Sequence, residues 1–510
     1  MTREMADRRL DVDLLARELG NWRTANGSGP VYQGLADGLR MLIVDGRLPV
    51  GSRLPSERAL ADALRVSRTT VTTAYAQMRD EGYLTARRGA RSTTALPETM
   101  GTPPAPDRTT PTTINLAAAA MSAPASAVLD AFGAAATDVG AYLHSAGLEL
   151  YGAPPLRAAI AERYSARGLF TEPDQIMVTT GALNAIGLIL STFIEPGDRV
   201  LVEQPTYPGA LAAIGAAGAR AVPVSLAPDE GWDLGALHTA IRQLAPALAY
   251  LIPDQHNPTG LTMPAEQRKQ LGHIIVETRT RTVIDETMTD IWLDEPPPPP
   301  LAADVARPDL ALTVGSMSKS FWGGLRIGWI RAEQATLATI AARRPSVDLG
   351  TAILEQLAAA RLIGAADQVL PERRELIRHR RELLRALLAE HLPDWRPCNT
   401  PLSTGGFGER RTSASTKPAA LSTGGLSMWM RLPAPMSSAL SAAASRLGVD
   451  IPPGPRFGVD GTLERYIRVP YALPDDQLAE AIPLLARAWA QITGAGPAPV
   501  DSLPAAAPVV

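Results

Sequence analysis

Residues 90 to 113 read ARSTTALPETMGTPPAPDRTTPTT, rich in Pro, Thr and Ala with hardly any large apolar side chain. Such a run buries too little surface to offset the entropy of ordering it, so it predicts a linker. The 510-residue chain is thereby divided into a small domain over 1–89 and a much larger one over 114–493. Residues 494–510, ending GPAPVDSLPAAAPVV, predict a disordered tail.

Charge separates the two parts as well. The whole chain carries a formal net charge of -3, yet residues 1–95 hold 15 arginines against 11 acids, so the front is basic and the remainder acidic. Cys398 is the only cysteine, which excludes an intramolecular disulfide and a cysteine metal cluster and suits a reducing compartment. No metal site is expected. The N-terminus has no apolar run of signal-peptide length, and no long uninterrupted apolar stretch follows, so a cytoplasmic protein without membrane contact is expected.

The basic front carries GSRLPSERALADALRVSRTTVTTAYAQMRDEGYLTARRGARS over 51–92. Ser56 precedes Leu60, Ala61 and Leu64 at helical spacing and predicts an N-cap. After a turn at Arg65 and Val66, Ser67 predicts a second cap, for a helix burying Val71, Ala74, Tyr75 and Met78 and leaving Arg68, Thr69, Thr72 and Thr73 outward. Two such helices make a helix-turn-helix, with Arg87, Arg88 and Arg91 on a wing beside a DNA backbone; they equally suit a small helical packing domain.

From Ile114 to about Thr493, apolar strands such as RVLVEQP, LAYLIP, RTVIDE and ALTVGSM alternate with amphipathic helical stretches, predicting an α/β domain with a mostly parallel sheet. A smaller α+β subdomain is expected from about 375. PPPPPL at 296–301 predicts a stiff loop. LSTGG occurs at 402–406 and again at 421–425, and the polar segment between them predicts a flexible insertion over 402–425 or a local duplication.

The chain uses 46 arginines and three lysines, at Lys269, Lys319 and Lys417. An amine can condense with an aldehyde and a guanidinium cannot, so Lys319 in SMSKS marks a candidate Schiff-base residue. TTGALNAI, EQPTYPG, HNPTG and VIDE precede it in that order, and each suits one part of a pyridoxal phosphate site. Asp285 ends an apolar strand and can keep a pyridine nitrogen protonated. Asn257 can donate to a phenolic oxygen, and Tyr207 can stack on a ring. The amides of Gly181 and Ala182 lie where a strand gives way to a helix and, with Ser316 and Arg326, can receive a phosphate. Singly, each also has a plain reading as a turn, a solvated strand end or a surface ion pair.

Two resemblances follow from these motifs. The stretch VYQGLADGLRMLIVDGRLPVGSRLPSERALADALRVSRTTVTTAYAQMRDEGYL resembles the GntR-type winged helix-turn-helix, with LPSER, LxVSRTTV and EGYL in register. By position, the resemblance implies backbone-facing Arg53, Ser56, Glu57 and Arg58, and a recognition helix opened by Ser67, Arg68, Thr69 and Thr70. Where that family closes its wing with a Gly-Ser-Gly-Thr-like turn, this chain has Gly89, Ala90, Arg91 and Ser92. Residues 114–490 resemble the aspartate aminotransferase superfamily, in which the lysine of S-x-S-K holds the cofactor. RYIRVPYA resembles the segment whose arginine grips a substrate carboxylate, which implies that role for Arg468.

Joined by a linker, the two parts resemble the MocR group of bacterial regulators. The group implies a DNA-binding homodimer, assembled head to tail, whose large domain senses pyridoxal phosphate or an amine or amino-acid effector. A second reading is a working aminotransferase with an attached winged helix, and a third is an inert scaffold that binds no cofactor. Two departures bear on this choice. Thr287 and Met288 stand where relatives carry a tyrosine that bonds the cofactor's phenolic oxygen, and Leu148 stands where many carry a tyrosine that reaches a neighbour's phosphate.

Overall fold

The computed structural model describes residues 11–20, 22, 30–44, 48, 52–85, 92–95, 113–227, 231–398, 424–459 and 461–494. At the front, α1 (Val12–Leu19), α2 (Val31–Val44), α3 (Glu57–Leu64) and α4 (Arg68–Asp80) pack around Leu15, Leu35, Leu39, Leu60, Val71 and Tyr75. Strands β1 (Leu84–Thr85) and β2 (Thr93–Thr94) pair antiparallel. Ser56 caps α3 by accepting the Ala59 amide at 3.2 Å, and Ser67 caps α4 by accepting that of Thr70 at 3.1 Å. Arg65, at φ 53°, turns the chain between them, and Val71, Ala74, Tyr75 and Met78 are buried as their spacing requires. Strand β2 lies within the stretch read as linker. It is held there because the buried Thr94 hydroxyl accepts the Ser52 amide at 2.9 Å, so the described head runs on to Ala95.

The large domain starts with β3 (Ile114–Asn115), α5 (Ala125–Asp138) and α6 (Pro154–Ala166). Its sheet is then built from β4 (Ile176–Thr179), β5 (Arg199–Gln204), β6 (Arg220–Ala227), β7 (Gly231–Trp232), β8 (Leu248–Leu251), β9 (Thr282–Asp285), β10 (Ala311–Ser316) and β11 (Gly328–Arg331). Helices α7 (Ala182–Phe193), α8 (Pro208–Ala216), α9 (Leu234–Leu244), α10 (Ala265–Thr278), α11 (Gln334–Arg343) and α12 (Ile353–Gly364) connect or cover them. The strand order is β4-β11-β10-β9-β8-β5-β6-β7. From β10 to β6 neighbours run parallel; β11 is antiparallel to both β10 and β4, so β4 points the same way as β10. Apolar strands such as Leu248–Leu251 are buried on both faces because helices cover both sides. The carboxyl ends of six strands therefore share one edge, the place where parallel sheets open a crevice.

Helix α13 (Ala366–His391) leads into the C-terminal subdomain, where β12 (Arg396–Pro397), β13 (Ser427–Arg431) and β15 (Tyr466–Pro470) form an antiparallel sheet. α14 (Ser437–Arg446) and α15 (Asp475–Thr493) pack with them around Leu384, Leu440, Ile467 and Leu485, while β14 (Val449–Asp450) pairs parallel with β3. Gly424 and Gly425, the end of the second LSTGG, accept the Tyr471 hydroxyl, so the part read as an insertion rejoins the core by Gly424; residues 402–423 lie outside the described residues, as do 96–112 and 495–510. The head sits against this subdomain through α2 and α14, with Asp37 and Arg446 at 3.5 Å.

Gly328 shows how tightly the edge is closed. A Cβ there would lie 2.5 Å from the Gly181 carbonyl carbon and 2.7 Å from the Ala182 nitrogen, backbone atoms that have no room to move. Gly328→Ala is expected to cost about 1–3 kcal/mol by overpacking and to loosen cofactor retention with it. An unchanged thermal melting curve would contradict this placement of the α7 start.

Candidate cofactor site and DNA-reading helix

Each motif residue hangs from the shared edge. Gly181, at φ 87°, starts α7, and its missing Cβ leaves room for the Arg326 guanidinium, whose Nη2 would stand 2.8 Å from it. Arg326 is itself left-handed at φ 52° and donates from Nη2 to the Thr180 carbonyl at 3.2 Å. Ala182's amide, the positive end of α7 and an exposed guanidinium thus converge on one corner, the chemistry of a phosphate site.

Asp285 ends β9 and is buried. Its Oδ2 accepts the Tyr250 hydroxyl at 2.6 Å and its Oδ1 the Thr287 amide at 2.8 Å. Burial raises its pKa, and the bonds from Thr287 and Tyr250 pull the other way. Tyr250, on the neighbouring strand β8, is absent from the sequence reading. The signal was available in LAYLIP, since a tyrosine in an otherwise apolar buried strand needs a partner for its hydroxyl.

β10 ends in a π turn, Ser318–Trp322, which carries Lys319. Lys319 Nζ donates to the Ala119 carbonyl at 2.6 Å. Burial and then the charge of Arg468 lower its pKa to about 8, against a smaller opposing pull from Asp285. Ser316, like Gly181, Ala182, Asp285 and Arg326, lies outside the lining of the cavity that opens over Lys319. It accepts the Ser318 amide at 3.1 Å, lies 3.2 Å from the Ile327 carbonyl and lines a separate void of about 20 Å³ with Arg167 and Glu286. By register it shares a face of the sheet with Asp285, since Val314, two residues before it, pairs with Asp285, and its hydroxyl is used in shaping the lysine turn.

A cavity of about 310 Å³ lies over Lys319, lined also by Tyr207, Asn257, Met288, Arg456 and Arg468. Arg468 is buried on β15, stands 5.0 Å over the Phe457 ring, and donates to Asn257 Oδ1 at 3.2 Å and to the Ala117 carbonyl. Burial lowers its pKa to about 10. Among the described residues no carboxylate pairs with it, the condition a carboxylate receptor requires. Tyr207 caps α8 at the rim, and burial raises its pKa. Met288, not Thr287, lines the cavity, so a thioether with no proton to donate stands where relatives present a hydroxyl. Leu148 is 61% exposed.

In the head, α4 opens outward. Arg68 is 73% exposed and 3.7 Å from Glu57, which also accepts the Thr72 hydroxyl at 2.8 Å. Glu57 thus joins the two helices and stands beside Arg68. Arg53, Arg58 and Thr69 are exposed; Arg53 lies in a β-bridge with Thr93, and Thr70 shares a 2.8 Å hydroxyl contact with Ser67. Arg87, Arg88 and Arg91 lie outside the described residues.

The depressed lysine pKa sets a pH dependence. Only the neutral amine attacks an aldehyde, so the rate of cofactor capture should rise about tenfold per pH unit up to about pH 8 and level above it. Stopped-flow absorbance across pH 6 to 10 checks this, and a plateau only above pH 10 would contradict the buried setting of Lys319.

Comparison with known proteins accords with both halves. Residues 112–484 match Aminotransferase class I and II, and residues 31–93 match Bacterial regulatory proteins, gntR family. The Escherichia coli protein YdcR, named an HTH-type transcriptional regulator, is 28% identical over 86% of this chain and 94% of its own. The Rhizobium meliloti protein named probable rhizopine catabolism regulatory protein MocR is 28% identical over 72% of this chain and 78% of its own. The crystal structure of LysN, α-aminoadipate aminotransferase from Thermus thermophilus, complexed with N-(5'-phosphopyridoxyl)-L-leucine, superposes with a TM-score of 0.64 at 27% identity, covering 75% of this chain and 93% of that one. Fold and neighbour together indicate pyridoxal phosphate binding, and the Gly181–Arg326 corner, the Asp285 carboxylate and Lys319 fit that group. The chain belongs to the aminotransferase class I and II family and carries a gntR-family helix-turn-helix domain at its front.

Proposed function

We propose that this protein is a pyridoxal phosphate-dependent transcriptional regulator whose aminotransferase-type domain senses an amino ligand bearing a carboxylate. The observation that carries the reading is Arg468, a buried guanidinium with no acidic partner among the described residues that shares one cavity with Lys319, on a chain whose front presents an exposed recognition helix. Pyridoxal phosphate, when bound, supplies an aldehyde and an electron-withdrawing ring. Arg326 and the α7 start would hold the phosphate, Asp285 would keep a proton on the ring nitrogen with Tyr250 steadying it, and Tyr207 would cover the ring. Arg468 would orient the ligand by its carboxylate. Met288 donates no hydrogen bond to the phenolic oxygen, which favours holding a ligand over turning it over.

A homodimer, head to tail as in the group it resembles, would place two recognition helices on two half-sites of a cytoplasmic operator. The second reading, an aminotransferase with an attached winged helix, is favoured by the same Lys319, Asp285 and Arg468. A panel of amino acids and amines added to the holo-protein separates the two. The regulator reading expects one ligand to shift the cofactor's visible absorption and to change DNA affinity, with negligible keto-acid formation. Steady keto-acid release with DNA affinity untouched would make this an enzyme.

On the DNA side, Arg68→Ala should cost about 1–3 kcal/mol of specific binding, the worth of a base contact. Arg53→Ala should weaken specific and random DNA alike and lower the salt slope by about one. Fluorescence anisotropy against the chain's own upstream DNA and a scrambled sequence reads both. Equal wild-type affinity for the two would sink the regulator reading.

A further inference from the structure

Both cations that a ligand must engage are held by one stretch of backbone. Arg468 Nη2 donates to the Ala117 carbonyl, and Lys319 Nζ donates to the Ala119 carbonyl at 2.6 Å. The stretch lies in the run Ala117–Ala120, has neither helix nor strand conformation, and follows β3 directly. Its root is fixed by the Ile114 amide to the Gly448 carbonyl at 2.8 Å and the Leu116 amide to Asp450 at 2.7 Å. Its far end is fixed by Arg373 donating to the Ser122 carbonyl at 3.0 Å. Between these anchors the Asn115 side chain shapes the strap, accepting the amides of Ala117 at 2.8 Å and Ala118 at 3.1 Å.

A bidentate carboxylate needs two guanidinium N–H groups side by side, and a lysine bonded to an aldehyde carbon has given up the ammonium that a carbonyl prefers. The strap and the ligands therefore draw on the same atoms. We propose that the Ala117–Ala119 strap competes with cofactor and carboxylate ligand for Lys319 and Arg468, and that its release passes cavity occupancy to the DNA-reading head. The proposal rests on the reading of the cavity given above. A route leads from strap to head through β14, the partner of β3, to α14, whose Arg446 stands 3.5 Å from Asp37 on α2. By linkage, whatever steadies the strap weakens ligand binding, and the reverse.

Hydrogen exchange of the 114–122 segment in the full-length protein tests this, with pyridoxal phosphate and with the reduced adduct N-(5'-phosphopyridoxyl)-L-alanine as probes. Pyridoxal phosphate should speed exchange at the Ala117 and Ala118 amides, and the adduct, which adds a carboxylate for Arg468, should speed it further. Asn115→Ala, at an exposed position, should weaken the competitor and tighten pyridoxal phosphate roughly 2- to 12-fold, the worth of a hydrogen bond. Simple structural damage would loosen it instead. The same variant without ligand should shift DNA affinity in the direction the adduct shifts the wild type. A normal cofactor absorption band with unchanged exchange, or a weaker-binding Asn115→Ala, overturns the strap and leaves the cavity reading standing. Failure of both probes to bind overturns the cavity reading and the strap with it.

Discussion

The site depends on the parallel register of β5, β8, β9 and β10. Val314 pairs with Asp285 across β10 and β9, and Ile284 pairs with Leu251 across β9 and β8, so these strands end together. From that one edge project Tyr207, Asn257, Asp285 and Lys319, which are separated by up to 112 positions in sequence. Shifting a strand by one residue would turn its side chains to the opposite face, which is why the buried Val, Ile and Leu of these strands also fix the chemistry. Gly181 joins them because β4, two places beyond β10, points in the same direction.

Buried charges fall into two kinds. Arg268 with Asp254, Arg344 with Asp348 and Arg167 with Glu286 are paired, and their charges are balanced within the fold. Lys319, Arg468, Arg331 and Arg373 meet only uncharged acceptors among the described residues, and burial depresses the pKa of all four. Of these only Lys319 and Arg468 face the open cavity, where an unbalanced charge can meet something that brings a negative group or consumes a proton. The Asp285 carboxylate is the counterpart, raised by burial and restrained by Tyr250. In the head the charges stay at the surface, with an exposed Arg68 3.7 Å from Glu57.

Much of this was legible in the sequence because local signals carried it. Ser56 and Ser67 announce their helices, the i, i+3, i+4, i+7 face announces what α4 buries, and a rare lysine after HNPTG and VIDE announces the cofactor site. Less legible were contacts between distant segments. Tyr250 beside Asp285, the Ala117 and Ala119 carbonyls on Arg468 and Lys319, and Gly424 under Tyr471 join residues tens to hundreds of positions apart. The wing was expected within TARRGARS, which ends at Ser92, and its second strand lies just beyond, at Thr93–Thr94, because a strand of two threonines has no periodicity of its own to fix its bounds.

By itself, then, the sequence determined the division into a basic helical head and an α/β body, the caps, the strands and the identity of the groups able to hold a phosphate, a ring and a carboxylate, since all of these follow from composition and short-range spacing. Tertiary structure alone decided how they are used: that the Ser316 hydroxyl shapes the lysine turn, that Met288 rather than Thr287 meets the cavity, and that Glu57 bonds Thr72 across the two helices. The physical reason is that one residue of rotation along a strand or turn exchanges inside for outside, and only packing against the rest of the chain selects between the two.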